Sequence, residues 1–246
     1  MIRIGTSGWT YPPWRGVFYP KGLPHKRELE HLAGELDSVE VNGTFYALQK
    51  PTSFQSWAAQ TPDDFIFAIK GSRFITHMKR LRDPHDALTR FLDSGVLTLG
   101  TKLGPFLWQL PPTLQFDPGL LTAFFEALPR VHEDRPLRHA LEVRHESFRD
   151  RRFLPLLEEH GIACVIADTA HTFIELEAVT ADFVYIRLHG EEELYTSGYT
   201  DESLDRWATK IRAWSRTHDV YAYFDNDAKV MAPRDAKALA ARLVPE

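Results

Sequence analysis

The sequence predicts a (β/α)8 barrel. Three observations carry the prediction: eight short apolar runs recur along the 246 residues, helical patterns separate most of them, and most runs finish on a charged or amide side chain. Apolar strands alternating with helices indicate a parallel sheet covered on both faces. Eight such units in about 250 residues match a closed barrel, whose chemistry sits at the C-terminal rim of the strands. An open, doubly wound sheet is the competing architecture. The Gly-rich dinucleotide fingerprint that would favour it is missing, because Gly5-Thr6-Ser7-Gly8 leads to Trp9 and not into a helix.

Residues 2–6 form the first run, and Leu29, Leu32 and Leu36 mark a helix over 27–36. The second run, 38–42, ends on Glu40 and Asn42, and Pro51 suits the first turn of a helix over 51–60. The third, 65–70, ends on Lys70 and precedes a helix over 85–97. The fourth, 106–110, carries Gln109 and leads to a helix over 118–128. The fifth, 139–144, closes on Glu142 and Arg144, and Gly161 stops the helix that follows over 151–160. The sixth, 163–168, ends on Asp168. No clear helix follows in 169–182, so one unit is degenerate. The seventh, 183–189, closes on Arg187 and His189, and Thr200 or Asp201 caps a helix over 202–217. The eighth, 220–225, ends on Asp225 beside Asn226, before a final helix over 233–243.

Side chains alternate between the two faces of a strand. In the fifth run Leu141 and Val143 cover helices, which turns Glu142 and Arg144 inward with Ala140. The same parity turns Glu40 and Asn42 inward, and likewise Tyr185, Arg187 and His189, and Tyr221, Tyr223 and Asp225. Lys70 shares parity with Ala68, and Asp168 with Ile166 and Cys164. Buried charge is costly unless paired, so a ring of it reads as a site. Glu142 with Arg144, and Arg187 with Asp225, equally suit structural ion pairs. The full ring favours function.

Three chemistries suit such a ring. The first is acid–base work on a small polar substrate. Glu40, Glu142 and Asp168 would serve as carboxyl groups, His189 as proton carrier, and Lys70, Arg144 and Arg187 as an anion clamp. Asn42, Gln109, Asp225 and Asn226 would bind the substrate, with Trp9 and Tyr199 shaping the pocket. The second is a divalent metal held by Glu142, Asp168, His189 and Asp225, four residues from consecutive strands. No His-rich or HExxH spacing supports it, and no cofactor is otherwise expected. The third is a non-catalytic binding protein, whose support is the aromatic content of the rim loops: Trp9, Tyr11, Trp14, Tyr46, Tyr195 and Tyr199.

Composition narrows the partners. Hydrophobic residues make up 43%, charged residues 26% and aromatics 12%, which suits one globular domain over 1–246. The net charge of −5 and pI near 6.1 disfavour a nucleic-acid surface. The basic stretch 70–82 (KGSRFITHMKRLR) keeps an anionic substrate or a nucleic-acid backbone open. The lone Cys164, in an apolar run, reads as an inert buried thiol. No apolar stretch approaches the roughly 20 residues of a membrane span. The first residues enter a strand at once, so a cytoplasmic protein with a small-molecule substrate and no membrane partner is expected. Oligomeric state is left open.

The motifs also resemble a known family. They are Gly5-Thr6-Ser7-Gly8-Trp9 with Tyr11 and Trp14, Gly16-Val17-Phe18-Tyr19-Pro20, Val39-Glu40-Val41-Asn42-Gly43-Thr44-Phe45-Tyr46, and Lys70 with Ile75-Thr76-His77. Further along come Leu103-Gly104-Pro105 leading to Gln109-Leu110-Pro111-Pro112, Glu142-Val143-Arg144-His145, Ala167-Asp168, Arg187-Leu188-His189-Gly190 and the Tyr195/Tyr199 segment. In that order and nearly end to end, the chain resembles the YecE-like family, named for a domain of unknown function. The resemblance implies a TIM-type barrel and a site shared at the motif positions. It implies no established reaction, although the family has been likened to sugar isomerases. The family usually has two asparagines after the last strand and a later Asn-Ala opening the final helix. This chain has Asp225-Asn226 and Asp235-Ala236 instead. Asp225 thus adds a negative charge where an amide is usual.

Overall fold

The computed structural model describes residues 1–244. Eight parallel strands close a barrel: β1 (Ile2–Ser7), β2 (Ser38–Val41), β3 (Ile66–Lys70), β4 (Leu103–Gln109), β5 (His139–Glu142), β6 (Ala163–Asp168), β7 (Phe183–Leu188) and β8 (Asp219–Phe224). Neighbours in sequence are neighbours in the barrel, and β1 closes it by pairing with both β2 and β8. The predicted fold class is the one found.

Helices α1 (Glu28–Ala33), α2 (Gly43–Tyr46), α3 (Pro51–Ala59), α4 (His85–Leu92), α5 (Pro118–Ala127), α6 (Phe153–Glu159), α7 (Asp201–Trp214) and α8 (Met231–Leu243) surround the strands. Thr200, not Asp201, caps α7, its side chain accepting from the Ser203 N–H. Gly161 stands just beyond α6 at φ +57°, as its role in stopping that helix requires. The helix expected over 85–97 stops at Leu92. Gly95 breaks it at φ +106°, and a tighter 3-10 turn, Val96–Lys102, replaces its end. β4 begins earlier than expected, at Leu103, because the ladder steps over Pro105, which has no N–H to give. Phe67 pairs with Leu103, and Ile69 pairs next with Phe106.

The degenerate unit is real: no helix links β6 to β7. A carboxylate organises that loop instead. Glu175 Oε1 accepts from Thr169 N and Oγ1 and from His171 N, at 3.0, 3.2 and 3.3 Å. Ile174 fills part of the space that a helix would cover. No helix among the described residues is long and apolar enough to cross a membrane.

Two apolar clusters result. The outer one lies between strands and helices and holds Val39, Val41, Phe67, Ile69, Leu141, Val143, Ile186, Leu188, Ala222 and Phe224. The inner one lies inside the barrel and holds Ala68, Leu107, Ala140, Ala163, Val165, Ala167, Phe183, Tyr185, Tyr221 and Tyr223. The inward and outward parities therefore match those read from alternation on β2, β3, β5, β7 and β8.

One outer residue makes stability respond to pH. His139 is buried against Phe106 and Trp108. Its Nδ1 accepts from Trp108 Nε1 at 3.2 Å, and its Nε2 lies 2.8 Å from the carbonyl of Pro129. Burial lowers the imidazole pKa to about 4, with Arg130 adding to the shift and the Pro129 bond opposing it. Below pH ~6.5 the unfolded chain takes up a proton that the folded chain refuses. Stability therefore falls as pH drops from about 6.5 towards 4, by about 3 kcal/mol for this group, and levels off below. Urea unfolding across that range should show the slope, and His139→Gln should flatten it. An equal slope in the variant would count against this account.

Candidate active site

The barrel interior is layered by size and polarity. Alanines on β3, β5 and β6 leave room for the rings of Phe183, Tyr185, Tyr221 and Tyr223. Ser38 Oγ donates to the Ile66 carbonyl at 2.8 Å, so Tyr223 OH, 2.7 Å away, is the donor to Ser38. Tyr185 OH donates to Glu40 Oε2 at 2.8 Å. A floor of phenols thus supports a layer of ions.

Arg187 is the hub of that layer and is fully buried. Its Nε and Nη2 clasp Glu40 in a bidentate pair at 3.0 and 2.8 Å. Nη1 donates to Glu142 at 2.7 Å, and Nη2 to Asp225 at 2.8 Å. Ser7 Oγ and Tyr185 OH fill the remaining acceptor positions of Glu40. Glu142 Oε1 also accepts from Gln109 Nε2 at 2.9 Å and Arg144 Nε at 2.8 Å. Burial by itself would raise the Glu142 pKa, but Arg144, then Arg187 and His189, hold it well below the usual carboxylate range. Burial likewise opposes ionisation of Asp225, and Arg187 and His189 outweigh it. His189 lies with Nδ1 3.1 Å from Asp225 but without a hydrogen bond to it, and with Nε2 3.9 Å from Glu142, beyond hydrogen-bond reach, and 3.4 Å from Arg187 Nη1.

Above this layer, at the C-terminal end of the strands, opens a cavity of about 600 Å³. Asn42, Lys70, Gln109 and Asp225 line it, with Tyr11, His77, Tyr195 and Asp227. The Asp227 carboxyl is pushed up to about 6, by burial first and by the Asp225 charge second. Burial, then Lys70 and Arg144, lower the His77 pKa to about 4, which leaves a neutral imidazole at pH 7. His77 arrives on a π-helical turn, Phe74–Met78, a wider coil often found at functional sites. Tyr195 adopts φ +63°, a strained value for a tyrosine, with its backbone N donating to the His189 carbonyl oxygen at 2.5 Å. Its hydroxyl accepts from Arg144 Nη2 at 3.0 Å.

The residues expected at the rim fall into three groups. Asn42, Lys70, Gln109 and Asp225 face the cavity. Glu40, Glu142, Arg144, Arg187 and His189 stand behind or beneath it and bond mainly to one another. Arg187 corrects the expected anion clamp, because carboxylates of the protein already occupy its fork. Both ion pairs weighed as structural, Glu142–Arg144 and Arg187–Asp225, are formed. The structure does not bring Trp9, Asp168, Tyr199 and Asn226 into the ring. Asp168 shares its face with Cys164 and Ile166, which pack in the outer cluster. It therefore borders an outer groove with Glu175, Glu191 and Lys210. Asn226 is buried, donating to Asp235 at 2.8 Å and to the Ser197 carbonyl at 2.9 Å, so it anchors α8. Tyr199 packs edge-on to Phe224 and takes the Gly190 N–H. Trp9 stacks edge-on with Trp57 beside an adjoining pocket.

Sequence reasoning did not name Asp227; His77 entered only within a motif of the resemblance and Tyr195 as a motif position and rim aromatic, neither with a role of its own. The spacing Asp225-Asn226-Asp227, two carboxylates with one residue between them, was the available signal for Asp227.

The four residues suited to a divalent metal do not fit one. Asp168 faces away, and Glu142 and Asp225 both spend an oxygen on Arg187, whose guanidinium stands between the carboxylates where a cation would sit. No group of three or more His, Cys, Asp or Glu side chains among the described residues is arranged to hold a metal.

Residues 3–246 match the family model described as "Protein of unknown function DUF72". The chain is 28% identical over 257 residues to UPF0759 protein YecE of Escherichia coli (strain K12), which covers 95% of this chain and 89% of that protein. It is 28% identical over 262 residues to UPF0759 protein YunF of Bacillus subtilis (strain 168), covering 93% and 89%. A crystal structure of a DUF72 family protein from Thermotoga maritima MSB8 matches with a TM-score of 0.88 at 27% identity over 99% of each chain. With a family match spanning nearly every residue and a barrel of the same architecture, this chain belongs to the DUF72 family.

Proposed function

We propose that this chain is an enzyme carrying out proton-transfer chemistry on a small, polar, anionic substrate, sugar-derived or phosphorylated, held in the C-terminal cavity. The observation that carries the reading is a split between two sets of ionisable groups. Glu40, Glu142 and Asp225 are all paired to Arg187 in the buried layer, and Glu142 to Arg144 as well. Lys70, Arg73, His77 and Asp227 line the cavity and, among the described residues, form no ion pair within 4.0 Å. Groups left outside a closed ion network are the ones free to meet a ligand.

Asp227 suits general acid–base work, since a carboxyl with a pKa of about 6 holds both protonation states near neutrality. Arg73, exposed at the mouth, suits an anionic group on the substrate. Gln109 and Asn42 suit its hydroxyls, and Tyr11 and Tyr195 present ring and hydroxyl surfaces. Glu40 and Glu142, first considered as acid and base, are better placed to fix the field around the cavity.

A ligand that binds the folded state raises its melting temperature. Thermal shift against ribose 5-phosphate, 6-phosphogluconate and gluconate should give a saturable rise with at least one of them. The rise should shrink in Arg73→Ala and in Gln109→Ala. No rise with any of the three, or a rise of full size in both variants, would sink the proposal.

A further inference from the structure

We infer that Lys70 is a nucleophile that forms an imine with the carbonyl carbon of a small anionic aldehyde or ketone. The inference rests on the cavity being the reaction site, and it adds the reactive group of the substrate. Lys70 ends β3 with its side chain inside the barrel, and only 8% of the residue is exposed. Its Nζ lies 4.6 Å from the centroid of the Phe45 ring, which walls that side of the cavity. Among the described residues it makes no hydrogen bond and no ion pair within 4.0 Å.

A second lysine sharpens the point. Lys102 is buried to a similar degree, 9% exposed, but its Nζ donates to the carbonyls of Ala58 and Thr61 at 2.6 and 2.8 Å and to Thr61 Oγ1 at 3.2 Å. That is how a structural ammonium is satisfied, with an acceptor for each of its three donors. Lys70 has none of the three. Its Nζ instead faces the open cavity, with the π face of Phe45 as its neighbour, where a ligand can reach it. Burial, and then the Arg187 charge, lower the Lys70 pKa against the pull of Asp225, Glu40 and Glu142. Desolvation beside a fixed cation is a known way of preparing a lysine for nucleophilic attack.

The step balances with groups at hand. The Nζ lone pair adds to the carbonyl carbon as the C=O π pair moves to oxygen, and one proton passes from nitrogen to that oxygen. The Asp227 carboxyl, in its protonated form, gives a second proton to the resulting hydroxyl. Water leaves as the nitrogen lone pair forms the C=N bond. The product is an iminium that keeps one N–H, and Asp227 becomes a carboxylate. Nothing is oxidised or reduced. The iminium acidifies the adjacent C–H, which is the proton transfer proposed for the site.

The test is reductive trapping. The full chain is incubated at pH 7 with glyoxylate, pyruvate or glyceraldehyde 3-phosphate plus cyanoborohydride, and the adduct is located by peptide mass spectrometry. Lys70 should be labelled in clear preference to the surface lysines, since a lowered pKa leaves more of the free amine at pH 7. Lys70→Arg should lose the adduct while keeping its circular dichroism spectrum and cooperative unfolding. If Lys70 stays unlabelled while a carbonyl compound still raises the melting temperature, the imine is overturned and the cavity reading stands. If Lys70 stays unlabelled and none of these compounds or the sugar derivatives shifts the melting temperature, both fall.

Discussion

Replacing Arg187 with methionine is expected to remove most of the stability of the barrel. The substitution conserves the length of the stem and deletes one charge, yet three carboxylates lose it: Glu40 and Asp225 lose the arginine that pairs them, and Glu142 keeps only Arg144. Glu40 and Glu142 are 0% and 1% exposed, and Asp225 is 13% exposed at its side chain, so water reaches only the last. Breaking one buried pair by removing one partner costs about 3–5 kcal/mol. Here the lost cation serves three partners, against a total stability of about 5–15 kcal/mol for a typical domain. Urea denaturation should show a collapsed midpoint, or no folded baseline. Adding Glu40→Gln, Glu142→Gln and Asp225→Asn to the same chain should recover much of the loss, because neutral amides no longer need the cation. A midpoint in Arg187→Met within experimental error of the parent would show that the guanidinium is not the hub described.

Gly5→Ala is expected to cost about 3 kcal/mol or more, at the upper end of overpacking effects. Gly5 shares the inward parity of Ser7 on β1, and a Cβ built on it would lie 2.2 Å from the Ser38 carbonyl oxygen and 3.2 Å from Tyr223 Cδ1. A side chain at the first contact could rotate away, but a backbone carbonyl cannot. The two strands would have to separate where β1 pairs Gly5 with Ser38 and Ser7 with Glu40. The damage would therefore reach the ion layer, through the Ser7–Glu40 hydrogen bond of 2.8 Å, and the Tyr223–Ser38 contact. Thermal unfolding of the variant measures the loss. A drop no larger than that of an exposed Gly→Ala change would mean that the strands separate at little cost.

Alternation told the faces apart wherever a strand had one apolar and one polar side. On β5 the pairs Leu141/Val143 and Glu142/Arg144 could be arranged only one way, and β2, β7 and β8 behaved alike. It failed on β6, where Ala163–Ala167 is apolar on both faces. There the sequence contained nothing to say that the Asp168 side belongs to the helices. Alternation also stops where a strand stops. Tyr199 and Asn226 lie beyond strand ends, and chain direction there is set by contacts such as Asn226 with Asp235, which no local pattern encodes. His77 stood in a motif, but the direction of its side chain was hidden for a third reason: its turn is π-helical, and the wider coil breaks the spacing by which a helix face is recognised. The saturation of Arg187 was beyond any reading of one chain segment, because its partners come from β1, β2, β5 and the end of β8.

Arginine as the central charge has a consequence for the environments in which the site works. A guanidinium does not lose its proton in any physiological medium. It is covalently part of the chain, so it cannot dissociate, be displaced by a competing ion or be withheld by scarcity. The field it casts into the cavity is therefore constant across growth conditions, and any activity profile against acidity belongs to the cavity wall above it. Asp227, with its carboxyl at about 6, would then write the acidic limb of such a profile.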